Sequence, residues 1–231
     1  MQNRIIYLAA GNSVRFGENK LLYPVAGKPM YRHGLDLLFS ILEENENYEL
    51  IVASQYREIT EAVLAEKRTF SEQGKTSLAG RIHPLLTKNS RLGMSYTIRE
   101  SITYGWSLLG EAGGYTDSGE CIPDAVRLWQ EGGNYDTFMV ADQPYMKKES
   151  LAAFMHGMMT SGKLVGCVSE RGIYGNPVMF SSRLEPELME LSGDCGGKRV
   201  MKKHLDSCYT YPVEQECMDI DYKNSQIKQE K

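Results

Sequence analysis

A short loop of small residues, followed by two cations, is the part of the sequence most suited to chemistry. It follows an apolar segment and comprises Leu8, Ala9, Ala10, Gly11, Asn12 and Ser13, with Arg15 and Lys20 shortly after. Small side chains let a ligand approach the backbone, whose N–H groups bind phosphate oxygens. Arg15 offers a planar fork of donors, whereas Lys20 is a mobile point charge able to follow an α-phosphate as charge moves during transfer. The loop therefore predicts a nucleoside triphosphate site, although its composition also fits a strand, a glycine turn and a helix with solvated cations.

A carboxylate follows a later apolar strand, in the sequence Ala141-Asp142-Gln143-Pro144. In an open parallel sheet, ligands bind in the crevice outside the carboxyl ends of the strands. Magnesium prefers one or two carboxylates together with substrate phosphate oxygens and water. Asp142 is therefore the predicted magnesium ligand, and the alternative is that it caps the helix that follows.

A glycine-rich segment near the end of the chain carries a second carboxylate and a cation. Asp194 follows Gly193 and precedes a predicted helix that runs through residues 201–205. We predict Asp194 either as a second magnesium ligand or as an N-terminal helix cap, the usual role of Asp at such a position. The glycines allow a large ligand to approach closely, and Lys198 is placed to meet its phosphate.

Other catalytic motifs are missing from the sequence. Gly11 and Gly17 are spaced wrongly for a Walker loop, and no Gly-x-Gly-x-x-Gly follows the first strand. The four histidines lie in or near patterned segments and are interpreted as structural. The five cysteines include no Cys-x-x-Cys pair, so neither a disulfide framework nor a zinc site is expected.

The elements that must position these residues follow an alternating β/α pattern. Helical patterns at residues 33–42 and 58–67 separate short apolar strands, which typifies a mainly parallel sheet covered on both faces. The strands are predicted at residues 4–8, 50–53, 81–86, 137–141, 164–169 and 177–180. The fold class is therefore α/β.

Length and composition limit the number of domains and the kinds of partner that the protein could have. The 231 residues, 42% of them hydrophobic, fit one domain with an inserted excursion at 108–134, which contains a helical pattern at 125–129, and a frayed tail at 223–231. A net charge of −4 offers no basic surface, so we expect no nucleic-acid partner. No apolar run approaches the roughly 20 residues that span a bilayer. We expect no membrane association and a cytoplasmic location.

With these motifs in order, the chain resembles the MobA-like nucleotidyltransferases, and within them the molybdenum cofactor cytidylyltransferases of the MocA type. The shared residues run nearly end to end. They are residues 8–11 with Arg15, Phe16, Gly17, Lys20, Leu21 and Leu22; Gly27-Lys28-Pro29; Asn89; Gly93-Met94-Ser95 with Arg99; Asp142-Gln143-Pro144; Gly175-Asn176-Pro177; Gly193-Asp194 with Gly197; and residues 218–221.

The resemblance implies a Rossmann-like, three-layer nucleotidyltransferase fold and assigns roles to the residues. Arg15 and Lys20 would be catalytic and Asp142 would hold magnesium, while Asp194 stays a candidate second ligand or a helix cap. The nucleotide would contact residues 8–13 and Asn89, Gly93, Met94 and Ser95, and the acceptor would contact Asn176 and Lys198. Departures from the family pattern are Thr97 for a serine, Glu100 for a glycine, Lys198 for an arginine, and the length of the excursion at 108–134.

The implied reaction is transfer of CMP from CTP to molybdenum-bearing molybdopterin, with release of pyrophosphate. The Ala-Ala-Gly and Asp-Gln-Pro motifs resemble the cytidylyl rather than the guanylyl members. An apo molybdenum hydroxylase would be a further partner, since it would receive the product. The alternatives are transfer to a sugar phosphate or methylerythritol phosphate, and a non-catalytic carrier of the pterin cofactor.

Overall fold

A seven-stranded sheet forms the centre of the computed structural model, which describes residues 1–13, 16–110 and 124–220. A two-stranded hairpin lies beside it. In chain order the strands are β1 (Asn3–Leu8), β2 (Pro24–Val25), β3 (Lys28–Pro29), β4 (Tyr48–Ser54), β5 (Ile82–Leu86), β6 (Tyr135–Val140), β7 (Val165–Glu170), β8 (Ile173–Ser181) and β9 (Cys208–Pro212), with β2 and β3 forming the hairpin.

Helices occupy most of the connections between the strands. They are α1 (Met30–Glu44), α2 (Arg57–Glu72), α3 (Thr76–Gly80), α4 (Met94–Gly110), α5 (Asp124–Glu131), α6 (Lys148–Ser161), α7 (Glu185–Met189) and α8 (Lys198–Met201). Short 3-10 helices lie at Lys20–Leu22, Ser90–Leu92, Ser182–Leu184 and Lys202–Ser207.

The sheet is mostly parallel, as the sequence predicts. Its order is β5-β4-β1-β6-β8-β7-β9, with β1 parallel to both β4 and β6. Leu8 at the end of β1 pairs with Val140 at the end of β6, so the loops that follow these strands lie side by side. The antiparallel direction of β8 and the edge strand β9 were not predicted.

Both faces of the sheet are covered, which explains the continuous apolar character of its strands. Ile5 and Tyr7 of β1 pack into one core with residues of α1 and α6. Ile6, which points the other way, packs into a second core with Ile98 and Ile102 of α4. The α/β fold is therefore a three-layer arrangement with β1 near its middle.

A buried charged cluster ties three helices to the starts of β1 and β6, opposite the edge where the loops lie. The Arg4 guanidinium is 3.3 Å from Asp136 and 3.1 Å from Glu185, and all three side chains are fully buried. Trp106 of α4 and Trp129 of α5 donate to Glu185 over 2.8 and 3.0 Å. Burial, reinforced by Glu185, raises the pKa of Asp136 well above its usual value.

Several segments differ from the sequence expectations in detail. The predicted excursion at 108–134 begins within α4, which continues to Gly110, and its helical pattern falls in α5. Residues 111–123, which include Cys121, and the tail at 223–231 lie outside the described residues. The helix predicted through 201–205 is only the four-residue α8, followed by a 3-10 helix with a kink at His204.

The four cysteines in the described part of the chain, Cys167, Cys195, Cys208 and Cys217, are all free thiols. Over the same residues, no helix has both the length and the apolar character needed to cross a membrane.

Candidate functional site

The loop after β1 is held by three consecutive side chains at the end of β4, the first of which is the last residue of that strand. Ser54, Gln55 and Tyr56 donate to the backbone carbonyls of residues 9, 10 and 11, each over 2.7 Å. The N–H of Ala9 also donates to the carbonyl of Ala53 over 2.8 Å. Parallel pairing of β1 with β4 sets this register. Sequence reasoning missed these residues, whose only signal is a polar triplet directly after an apolar strand.

The other side of this loop lines a cavity of about 270 Å³ at the carboxyl ends of β1 and β6. We call it the first cavity. It brings together the loop, the start of α4 and the two carboxylates that the sequence singled out. Its lining residues are Leu8, Ala10, Gly11, Asn12, Lys20, Leu21, Ser90, Gly93, Met94, Thr97, Val140, Asp142 and Asp194.

Lys20 and Asp142 form an ion pair in the first cavity. The Lys20 ammonium is 2.7 Å from one carboxylate oxygen of Asp142, and the two side chains are 10% and 26% exposed. Hydrogen bonds also hold the backbone of each of these two residues in place. The N–H of Lys20 donates to Ser13 Oγ over 3.1 Å, and the carbonyl of Asp142 accepts from Ile220 over 3.2 Å.

The donor set suits magnesium only if a substrate completes it. No group of three or more His, Cys, Asp or Glu side chains placed to hold a metal occurs in residues 1–13, 16–110 and 124–220. Magnesium needs one or two carboxylates when phosphate oxygens and water supply the other ligands. Asp142 meets that requirement, and Asp194 lines the same cavity.

Asp194 contacts the N-terminus of α4 rather than the helix that follows it in sequence. Its carboxylate accepts from the N–H of Met94 over 3.3 Å, and Ser95 Oγ donates to the carbonyl of Gly193 over 2.6 Å. The backbones pack so closely here that a Cβ on Gly93 would lie 2.5 Å from the Gly193 carbonyl oxygen. The segment around Asp194 and the start of α4 therefore form one wall of the cavity.

Asn89 does not line the first cavity. Its side-chain amide donates to Glu100 over 2.6 Å, and Glu100 also accepts the N–H groups of Lys88 and Asn89. Asn89 and Glu100 line a separate groove along α4, together with Tyr96 and Arg99. Ser90, which sequence reasoning did not single out, lies in the cavity instead.

A second cavity, of about 250 Å³, adjoins the first and shares Leu8, Met94 and Val140 with it. Its lining is largely apolar, with an amide and an ammonium group. The remaining lining residues are Ile98, Phe138, Asn176, Val178, Phe180, Gly196, Gly197 and Lys198. The two residues predicted to bind the acceptor therefore lie in one cavity, next to the predicted nucleotide site.

Residues 213–220 form a strap beside Asp142 that sequence reasoning only noted as a motif. The Gln143 side chain donates to Asp219 over 2.7 Å and to the carbonyl of Cys217 over 3.2 Å. Buried Glu216 accepts from the N–H of Lys147 at the start of α6 over 2.9 Å. Gln143 therefore holds the strap and is not among the residues lining either cavity.

The remaining predicted site residues have other surroundings. Ala9 is fully buried. Ser13 Oγ accepts a hydrogen bond from the backbone N–H of Lys20, and Ser95 Oγ donates one to the carbonyl of Gly193. Arg15 lies outside the described residues.

The three-layer fold and the cavity at the carboxyl ends of central parallel strands define a Rossmann-like α/β protein with a ligand site at that edge of the sheet. The sequence profile of the MobA-like NTP transferase domain matches residues 5–208. The chain belongs to this family. A comparison with curated proteins finds no match.

Solved structures share the fold at low identity. Rv0371c from Mycobacterium tuberculosis H37Rv is 16% identical, with a TM-score of 0.63 over 99% of this chain and 97% of that chain. A CMP:2-keto-3-deoxy-manno-octonic acid synthetase complexed with CTP is 11% identical, with a TM-score of 0.62 over 99% and 96%. The molybdopterin-guanine dinucleotide biosynthesis protein A from Archaeoglobus fulgidus is 13% identical, with a TM-score of 0.54 over 96% and 93%.

Proposed function

We propose that the protein transfers CMP from CTP to the terminal phosphate of molybdenum-bearing molybdopterin, releasing pyrophosphate. The observation that carries this proposal is the pair of adjoining cavities. One contains the small-residue loop with Lys20 and Asp142, and the other contains Asn176 and Lys198. A nucleotide in the first cavity would meet an acceptor phosphate where the two cavities share Leu8, Met94 and Val140.

In the proposed reaction, an acceptor phosphate oxygen attacks the α-phosphorus of CTP. A new P–O bond forms as the bond to the β-phosphate oxygen breaks, and pyrophosphate leaves with that electron pair. The second pKa of a phosphate monoester is about 6, so the acceptor is already largely anionic at neutral pH and needs no strong base. The protein must therefore position the acceptor phosphate against the α-phosphate and neutralise the negative charge of the phosphates.

Lys20 and Arg15 would neutralise the triphosphate as charge moves to pyrophosphate, and Lys198 would hold the acceptor phosphate. Asp142 would hold magnesium, which when bound supplies further neutralisation of the phosphates. Asp194 is a second candidate ligand, beside its contact with α4.

The lining of the second cavity favours a flat ring system over a polyhydroxylated acceptor. Ile98, Phe138, Val178 and Phe180 give it an apolar surface, and few polar groups are present to bond several hydroxyls. A sugar phosphate or methylerythritol phosphate would leave hydroxyls without partners there, at a cost of roughly 1–3 kcal/mol for each such group. The lining therefore disfavours a polyhydroxylated acceptor, and the choice of the pterin rests on the resemblance of the sequence motifs.

The preference for CTP would depend on Ala10, whose side chain lines the first cavity. Its methyl group leaves less room for a purine than the glycine at this place in guanylyl members. The Ala10→Gly variant should therefore accept GTP better relative to CTP.

The test is pyrophosphate release with Mg²⁺ and each nucleoside triphosphate, with and without molybdenum-loaded molybdopterin. Release that needs both CTP and the pterin, and that falls about 100-fold or more in Lys20→Ala and Asp142→Ala, supports the proposal. Release with a sugar phosphate or methylerythritol phosphate in place of the pterin would reassign the acceptor. Pterin binding without release from any nucleotide would instead identify a carrier, which could deliver the cofactor to an apo hydroxylase.

A further inference from the structure

Lys20 pairs with one of the two carboxylate oxygens through which Asp142 could hold a divalent cation. Its ammonium lies 2.7 Å from Asp142 Oδ2, and both side chains are mostly shielded from water, at 10% and 26% exposure. An ion pair in such a place is screened less by water and salt than an exposed one. A cation binding Asp142 must therefore either displace Lys20 or bind the other carboxylate oxygen against repulsion from the ammonium.

A triphosphate offers Lys20 another partner in the same cavity. The cavity is lined by Gly11 and Asn12 of the phosphate-binding loop as well as by Lys20 and Asp142. The backbone of Lys20 is fixed, because its N–H donates to Ser13 and the adjacent Leu21 N–H is capped by Asn19. The flexible side chain is thus the part able to turn from the carboxylate to a phosphate.

We infer that the Lys20–Asp142 ion pair couples the two ligands, so that Asp142 binds a divalent cation well only after a triphosphate has drawn Lys20 away. This inference rests on the proposed function, since it assigns the first cavity to a nucleotide and its metal. Coupling of this kind is reciprocal, so the cation must also strengthen nucleotide binding by the same factor. Lys20 thereby acts as a positioning residue for the metal in addition to its role toward the phosphates.

The experiment measures Mn²⁺ affinity by electron paramagnetic resonance, with and without CTP and in the absence of any acceptor. The variants are Lys20→Met, which keeps the length of the side chain without its charge, and Asp142→Asn. The matched control is Lys148→Met, because Lys148 forms a 2.6 Å ion pair with Glu44 on the surface, away from both cavities.

Without CTP, Lys20→Met should bind Mn²⁺ at least about tenfold more tightly than the wild type, within the usual range of such couplings. The Lys148→Met control should match the wild type, and adding Asp142→Asn to Lys20→Met should abolish the gain. CTP should tighten Mn²⁺ binding to the wild type by a larger factor than in Lys20→Met. Mn²⁺ binding to Lys20→Met that is no tighter than to the wild type would overturn the inference.

The experiments distinguish failure of the proposed reaction from failure of the proposed coupling. Pyrophosphate release as proposed, with no gain of Mn²⁺ affinity in Lys20→Met, removes only the coupling. A gain that depends on Asp142, in a protein that releases no pyrophosphate from any nucleotide, supports the ion-pair competition and removes the proposed reaction.

Discussion

The carboxylate of Asp194 accepts a hydrogen bond from the backbone N–H of Met94, 3.3 Å away, although 100 residues separate the two in sequence. Met94 is the first residue of α4, whose initial N–H groups have no partner within the helix. A negative charge at a helix N-terminus is also favoured by the helix dipole. Asp194 thus caps a helix, as one of the two sequence hypotheses expected, but the helix belongs to a distant part of the chain.

Replacing Asp194 distinguishes capping from metal binding. Asp194→Ala should lower the free energy of unfolding by about 1 kcal/mol. Asp194→Asn should have a free energy of unfolding close to that of the wild type, because Asn caps a helix nearly as well as Asp. Chemical denaturation checks the stabilities. Mn²⁺ affinity in the presence of CTP should stay within about threefold of the wild type in Asp194→Asn, a difference of less than 1 kcal/mol. A larger loss of affinity would show that Asp194 is a metal ligand.

Gly93 and Gly11 provide a matched pair of substitutions in the first cavity. Gly93 has φ 134° and ψ 167°, a conformation open to glycine almost alone, and its Cβ would lie 2.5 Å from the Gly193 carbonyl. Gly93→Ala should therefore cost about 1–3 kcal/mol from backbone strain alone. A methyl group on Gly11 would meet no atom of the described residues within 4 Å, and the φ of Gly11 is an ordinary one, so Gly11→Ala should keep its melting temperature.

Because Gly11 lines the first cavity, Gly11→Ala should raise the KM for CTP despite its unchanged stability. Calorimetry and pyrophosphate kinetics check the two variants together. Equal melting temperatures for both variants would contradict the strain argument at Gly93.

Asn89 should matter less for the nucleotide than the resemblance implies. Its amide is 2.6 Å from Glu100, and it lines the groove along α4 instead of the first cavity. Asn89→Ala should leave the KM for CTP within about threefold of the wild type. Steady-state kinetics on purified protein provide the measurement. A rise of tenfold or more would mean that Asn89 leaves Glu100 when the nucleotide binds.

His83 should make stability fall in mild acid. Burial, with the nearby charges of Lys67 and Arg4, lowers its pKa from 6.5 to about 4. The unfolded chain therefore binds a proton between pH 6.5 and 4 that the folded protein does not, so this contribution is complete above pH 6.5 and declines as the pH falls towards 4. Melting temperatures of the wild type and His83→Leu, recorded from about pH 7.5 to about 4.5, check this. The melting temperature of His83→Leu should fall less over that pH range than that of the wild type. An equal fall in both proteins would show that His83 does not cause the loss of stability in acid.

The local sequence indicated most of the central architecture. The apolar runs at 4–8, 50–53 and 81–86 correspond to β1, β4 and β5, because burial on both faces of a parallel sheet demands continuous apolar residues. The direction of β8 had no such signal. An antiparallel strand in the middle of the sheet is as apolar as its parallel neighbours, and direction depends on the connections between strands.

By itself, the sequence determined the α/β class, the phosphate-loop hypothesis and the choice of Lys20 and Asp142, because these depend on residue type and on position at the end of a strand. Tertiary structure alone decided which groups meet. Parallel pairing of β1 with β6 brings Lys20 to Asp142, while folding of distant segments turns Asn89 toward Glu100 and Asp194 toward Met94. Such contacts join residues far apart in the chain, and the side chain of a polar residue does not encode which of several possible partners the fold will supply.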